Sequence, residues 1–268
     1  MSNESRKNYW NKDYVEYWKE KVGETNKMAE DEMHILSNDP TASDSRYIEL
    51  IKLLGIKSTD TVLDVGCGFG RSLPYLASVA KQVIAIDISN QMIQESKKLT
   101  SHLKNIKFKV SESESTSIDN DSINKIICFA AFDAMYQKEA LIEFNRICNY
   151  GGEVLITGKN DFFQDDDISA LDAEIGARAK GHPNFFTNVQ ELLKNINIFG
   201  FEVIYHEFYL RRGDFAVNKK QANICKNFYE YTLKLKKIDD IKVSKDLVPT
   251  ISNKYSKSYT IFSSRSEK

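Results

Sequence analysis

Apolar and polar residues along the chain alternate between two spacings, short buried runs and stretches patterned like one face of a helix. Residues 61–65, TVLDV, form a β-branched apolar run without helical spacing, which predicts a strand buried on both faces of a parallel sheet. In the following RSLPYLASVAK, Leu73, Leu76, Ala77 and Ala80 share one helical face, with Pro74 in the first turns where its missing N–H costs little. QVIAIDIS (82–89) is a second buried strand, residues 90–100 a helix, and IKFKV (106–110) an alternating strand near a sheet edge. Lys125 to Phe129 make a fourth strand. Residues 138–148 form a helix with Ala140, Leu141, Phe144 and Ile147 inward, and the Gly151-Gly152 turn leads into EVLITG (153–158), the fifth strand. Strands alternating with helices in this way predict an α/β fold.

Four stretches break the alternation. Residues 5–22 put Trp10, Tyr14, Tyr17 and Trp18 on one helical face, and residues 23–45 are polar and interrupted by Gly23 and Pro40. Residues 1–45 therefore read as an N-terminal helical lid on a core of residues 46–268. Arg46 begins the next helix, which Gly55 stops. The stretch from Lys159 to Asn184 is too long for a plain connection and predicts a cap insertion over about 160–184; its acids Asp165, Asp166 and Asp167 suit a helix start. Thr187 and Gln190 form a capping box for VQELLKNINIF, which Gly200 ends, and FEVIYHEFYL (201–210) is a sixth strand. Residues 211–257 make a second insertion. Its run KKQANICKNFYEYTLKLKKI sets Ile224, Cys225, Phe228, Leu235 and Ile238 along one face and predicts an amphipathic helix. SYTIFSSR (258–265) then closes the chain as the seventh strand.

Charge narrows the partners. The 268 residues hold 37 Lys+Arg against 38 Asp+Glu, a formal net charge of -1, which supplies no global field for a polyanion. A small molecule is expected rather than nucleic acid. The N-terminus is polar without an apolar core, and no apolar run is long enough to cross a bilayer, so a cytoplasmic protein with no membrane partner is expected, as monomer or homodimer. The cysteines lie far apart, with no CxxC pair and no His at ligand spacing, so neither a disulfide framework nor a metal site is expected.

The candidate chemistry gathers after the first strand. Gly66, Gly68 and Gly70 alternate with Cys67 and Phe69, so the backbone can turn tightly and let a ligand approach closely. A helix N-terminus follows, which favours an anionic group. A dinucleotide fingerprint keeps two residues between its second and third glycines, whereas this loop has one, and Asp64 stands before it. Asp87 ends the second strand about twenty residues on, where a carboxylate can accept both hydroxyls of a ribose; it could instead cap the following helix, a role that Ser89 can also fill.

Asp64 followed by the GxGxG of Gly66, Gly68 and Gly70, with Asp87 ending the next strand, resembles the first motifs of class I, Rossmann-like S-adenosylmethionine-dependent methyltransferases. The resemblance implies a doubly wound, seven-stranded, mostly parallel sheet of order 3-2-1-4-5-7-6, its last strand antiparallel, with helical cap insertions that build the acceptor pocket. It implies S-adenosyl-L-methionine as cofactor. The loop with Cys67 would pass under the methionine part, Asp64 would meet its amino end, Asp87 the ribose, and Ile88 and Met92 would wall the adenine. Glu112 and Ser113 match the adenine-reading positions; the family more often has Gly-Asp-Ala there, which leaves Glu114 as a rival. Tyr14 would lie over the cofactor unless its stripe serves packing alone, and Arg46 would pair with the cofactor carboxylate unless it is solvated. Phe129 and Asp133 follow the fourth strand, whose end opens on the reactive side.

Methyl transfer to an O or N atom of a small metabolite, a sugar or natural-product intermediate, is the activity this implies. Such an in-line displacement asks the protein chiefly to hold donor and acceptor together and exclude water. A base helps, with His182, His206 and Asp133 as candidates and Tyr136 and Asp161 as further options; a lone histidine can equally be structural. The same fold also hosts RNA and protein methyltransferases and non-catalytic nucleoside-binding proteins.

Overall fold

In the computed structural model, which describes residues 3–16, 42–179, 181–221, 227–242, 244, 246 and 248–253, the run Thr61–Val65 is strand β1, with four of its five residues buried. It pairs in parallel with β2 (Gln82–Asp87) on one side and β4 (Ile123–Cys128) on the other; β3 (Ile106–Val110) flanks β2, and β5 (Cys148–Lys159) flanks β4. Side chains of a strand point alternately to the two faces. Val62 and Ile127 accordingly join Leu50, Leu73, Leu76 and Ile93 in one core, while Leu63 and Ile126 join Phe144, Phe199 and Leu233 in the other. Helices cover both faces, as a parallel sheet requires: α2 (Ala42–Lys52), α3 (Leu73–Val79), α4 (Asn90–Leu99) and α5 (Gln137–Ile147).

The sheet is completed by β7 (Phe201–Tyr209) and β8 (Glu230–Lys237), in the order β3-β2-β1-β4-β5-β8-β7, with β8 antiparallel to both neighbours. The two-residue β6 (Phe186–Thr187) pairs apart from it with β9 (Ser252–Asn253). Setting β6 aside, this is the expected 3-2-1-4-5-7-6 arrangement with an antiparallel last strand.

The strand that fills that place is a correction. Residues 230–237 lie within the run expected to be an amphipathic helix, and within the expected 211–257 insertion, yet they form β8; residues 258–265 lie outside the described residues. Tyr231, Leu233 and Leu235 are buried at every second position, the period of a strand. The edges of β5 and β7 each present a row of backbone donors and acceptors, and one strand laid between them satisfies both rows. Over residues 230–237 tertiary pairing outweighed the helical spacing; Ile224 and Cys225 of the expected helix face lie outside the described residues.

Three smaller boundaries also moved. The helix expected from Arg46 begins at Ala42. The cap of α7 (Val189–Asn195) is Asn188, whose side chain accepts from the Glu191 N–H at 3.2 Å, because Thr187 is held in β6. At the N-terminus, α1 (Asn3–Asn8) runs into one π-helical turn, Tyr9–Asp13, and on to Glu16; the expected stripe members Tyr17 and Trp18 lie outside the described residues. The first insertion contains α6 (Ile168–Ala179). Among the described residues, no helix is long and apolar enough to cross a membrane.

Candidate active site

Because β1 to β5 run in parallel, their carboxyl ends share one edge of the sheet, the place where open α/β sheets take ligands. The glycine loop is tied to that edge by the Gly66 and Cys67 N–H groups, both donating to the Ile86 carbonyl at 2.9 and 3.0 Å. The Gly68 N–H donates to Asp87 Oδ2 at 2.9 Å and the Ser89 N–H to Asp87 Oδ1 at 2.8 Å. Helix α4 is capped by the Ser89 hydroxyl, which accepts from the Met92 N–H at 3.2 Å, so the Asp87 carboxylate is left to brace the loop and face the cavity.

Gly68 has φ +52, and a Cβ there would meet nothing within 4 Å, so its missing side chain leaves open space beside the loop. Gly70 differs. With φ +80, its Cβ would fall 2.3 Å from Ser96 Oγ and 2.8 Å from Leu73 Cδ1. Gly70 therefore permits α3 and α4 to approach the loop and is not among the cavity-lining residues, against its expected place in the cofactor set.

A cavity of about 380 Å³ lies over this edge. Asp64, Gly66, Cys67, Gly68, Asp87, Ile88, Met92, Ser113, Phe129, Tyr14, His182 and Asp133, all singled out from the sequence, line it. Asp64 and Asp87 are both raised by burial. Asp64 reaches about 7, with the Ser72 hydroxyl bond pulling it down and the Asp87 charge pushing it up; Asp87 reaches about 6 against the pull of the Ser89 and Gly68 N–H groups. Two buried neighbouring carboxylates of this kind ionise more readily when a cation lies near them.

The roof is the N-terminal helix. Arg6, 2% exposed, forms a bidentate pair with Glu114, and its guanidinium carbon sits 4.5 Å from the Tyr136 ring centroid. The Tyr136 N–H also donates to Glu114 at 2.8 Å. Although burial opposes its charge, Arg6 and that N–H hold the Glu114 carboxyl below its ordinary range. Further along, Trp10 and Tyr14 line the cavity, Asn11 takes the Ser89 hydroxyl at 3.1 Å, and the Tyr9 hydroxyl meets His182 Nδ1 at 2.9 Å. His182 is enclosed by aromatic rings, the Trp10 centroid lying 4.9 Å away.

Three other expected site residues lie elsewhere. Glu112 reaches outward to Lys7 at 2.7 Å and is not among the lining residues, whereas its rival Glu114 is. Arg46 is a buried structural cation: it donates to Glu49 at 2.7 Å, to Tyr209 at 2.9 Å and to Glu207. His206 is exposed on β7, its ring 5.1 Å from Phe208. It stands mid-strand opposite Leu233 and is not among the cavity-lining residues. Of the further options for a base, Tyr136 supports Arg6, and Asp161 is fully buried outside the lining, its N–H donating to the Thr187 carbonyl at 2.7 Å.

The end of the cavity beyond β4 was largely missed. Lys159 closes β5 directly opposite Glu230 at the start of β8, and Gly158 stands opposite Tyr231. A Cβ on Gly158 would come within 2.5 Å of the Tyr231 hydroxyl, so the tyrosine ring lies across the bare backbone. That hydroxyl pairs with Thr187 at 2.6 Å. Asp133 Oδ1 accepts from the Lys159 N–H at 2.9 Å. Tyr47, Phe129 and Phe215 form an adjoining aromatic wall, with centroid spacings of 4.7 and 5.2 Å. The alternation of Tyr231, Leu233 and Leu235 was the available signal for Glu230 and Tyr231; nothing local marked Lys159, Phe215 or Arg6.

Residues 62–152 match the methyltransferase-domain family. A phosphoethanolamine N-methyltransferase of Arabidopsis thaliana is 28% identical over 128 residues, 47% of this chain and 25% of that protein. An uncharacterised methyltransferase of Schizosaccharomyces pombe is 24% identical over 141 residues, 51% of this chain and 54% of the other. The chain thus spans between a quarter and about half the length of these curated relatives. Among solved structures, the geranyl diphosphate C-methyltransferase of Streptomyces coelicolor, in complex with Mg2+, geranyl diphosphate and S-adenosyl-L-homocysteine, superposes with a TM-score of 0.58 at 13% identity, covering 72% of this chain and 79% of that one. That likeness is one of fold.

Proposed function

The chain carries a class I S-adenosylmethionine-dependent methyltransferase domain, and from that premise we propose that it transfers a methyl group to an O or N atom of a small metabolite. The observation that carries this reading is the convergence of Asp64, Gly68 and Asp87 on one cavity that the N-terminal helix covers. The residues present fit a sulfonium nucleoside. Gly68 leaves room beside the loop, Asp87 offers a braced carboxylate to ribose hydroxyls, Asp64 offers a buried anion to an amino group, and Ile88 and Met92 supply apolar walls for a base. When bound, S-adenosylmethionine supplies a methyl group activated on positively charged sulfur.

The protein's own part is positional. Arg6, Trp10 and Tyr14 hold the roof down and keep water out, which strengthens every electrostatic contact within. The β4 and β5 ends align the acceptor against the reactive side, where proximity alone can supply much of the acceleration. A cavity partly covered by the N-terminal helix and a formal net charge of -1 favour a small acceptor over RNA. The buried free thiols of Cys67, Cys128 and Cys148 suit a reducing compartment such as the cytoplasm.

Calorimetric titration with S-adenosylhomocysteine and, separately, with NAD tests the cofactor reading. Binding of the first and not the second is expected, and the reverse overturns it. Tritium transfer from S-adenosylmethionine into total RNA, with none into a metabolite extract, would overturn the small-molecule acceptor.

A further inference from the structure

We propose that the acceptor is an amine, held and deprotonated by Glu230 at the β5–β8 end of the cavity, with its apolar body against Tyr47, Phe129 and Phe215. This rests on the methyltransferase reading above and deepens it. Among the described residues, two carboxylates, Asp133 and Glu230, line this end of the cavity with one ammonium, Lys159. When all three are charged the end carries an excess negative charge, which complements an ammonium and repels a carboxylate or phosphate acceptor.

Lys159 does not cancel that preference. Burial opposes its charge, but Tyr229, Asp133, Glu174 and Glu230 together hold it above its ordinary value, so it stays protonated and serves these acids. Glu174 is buried and outside the lining. Aromatic faces beside carboxylates are a further attraction for a cationic amine.

Glu230 is suited to take the proton. Burial lifts it to about 7, Lys159 and Arg212 pulling it down and Asp133 and Asp214 pushing it up; these are the charged groups that face it from β5, from the turn after β4 and from the turn after β7. A carboxylate at this value can accept a proton from an ammonium yet be ionised near neutral pH. In the step, the amine gives one proton to Glu230 and its freed lone pair forms the N–C bond as the C–S bond breaks. The C–S electron pair stays on sulfur, leaving the thioether, and the methylated ammonium later releases a second proton.

The test uses the whole 268-residue chain saturated with S-adenosylhomocysteine, titrated with a panel of aryl and alkyl amines headed by 2-phenylethylamine. Each amine is paired with its matched alcohol and carboxylate. At least one amine is expected to bind ten or more times tighter than both of its matched partners. Its affinity should weaken as pH falls below about 7 in the wild type, and in E230Q the remaining dependence should be smaller and move down towards about 6, where Asp133, raised by burial, still titrates. E230D should restore part of the affinity. In E230Q, S-adenosylhomocysteine binding should stay within twofold, separating this end from the nucleoside end.

Amines that bind no tighter than their partners, or no binding by any amine to the loaded protein, would overturn the proposal. So would amine affinity unchanged in a folded E230Q. If E230Q fails to fold, the wild-type pH profile decides: affinity independent of pH between 5.5 and 8 overturns it. Failure of S-adenosylhomocysteine itself to bind overturns the underlying methyltransferase reading instead.

Discussion

Replacing Asp87 by Ala removes one carboxylate that does two separable jobs. It braces the glycine loop through the Gly68 and Ser89 N–H groups, at 2.9 and 2.8 Å, and it faces the cavity where a ribose diol is proposed. A hydrogen bond to a charged group contributes about 1.5–3 kcal/mol. Two such bonds to a diol set an upper bound of about 3–6 kcal/mol, because each is counted against no replacement. Water can enter beside Gly68 and recover part of that, so a loss of about 1.4–2.8 kcal/mol is expected, which is ~10–100-fold in Kd. The unpaired Gly68 and Ser89 N–H groups add a stability cost of about 1–3 kcal/mol each if water cannot reach them. D87N separates the effects: its amide oxygen can still accept one N–H, so it should melt closer to wild type yet bind S-adenosylhomocysteine at least tenfold more weakly. Isothermal titration calorimetry gives the Kd, and a thermal melt shows that the variant is folded. A folded D87A that binds S-adenosylhomocysteine within twofold of wild type would refute the ribose assignment.

Other outcomes follow from the same geometry. Asp64 and Asp87 sit at about 7 and 6, above the ordinary carboxylate value of 3.8; such raised groups stabilise the fold fully only below the unfolded value, and that contribution is lost as pH rises through about 6 to 7. A bound cationic amino end favours their ionised forms, so S-adenosylmethionine affinity should rise between pH 5 and 8 with proton release, measured by calorimetry in buffers of different ionisation heat; pH-independent affinity contradicts it. G70A should lower stability by about 2–5 kcal/mol, from left-handed strain and overpacking against Ser96, whereas G68A should cost only about 1–2 kcal/mol of strain yet abolish detectable S-adenosylhomocysteine binding; equal effects of the two on stability, read from urea unfolding, would be inconsistent with the distinction. R6A leaves the buried Glu114 carboxylate unpaired and should cost about 3–5 kcal/mol, with part recovered in R6A/E114Q; strictly additive costs in that cycle of unfolding free energies would show that the pair does not pin the roof.

Much of the proposed nucleoside end was legible in the chain itself, because most of its groups are announced by a local pattern. A buried run, an acid and alternating glycines specify a strand, a turn and a close approach within ten residues, and Asp87 stands at the end of the next such run. Asp64, Gly68 and Asp87 all stand at or just beyond the carboxyl ends of neighbouring parallel strands, which is why they could be named together.

The other end of the cavity belongs to long-range pairing. Glu230 and Tyr231 reach it only because β8 is laid between β5 and β7, and a stretch with both helical and alternating character takes the form that satisfies two open strand edges. Lys159 and Asp133, Arg6 and Glu114, and Arg46 and Glu207 meet across 26, 108 and 161 residues of chain. Such meetings depend on how elements pack, so Arg46 was free to turn to a structural carboxylate and Glu112 to a surface lysine. Local sequence determined which backbone can cradle a nucleoside; only the folded sheet decided which charges stand beyond it.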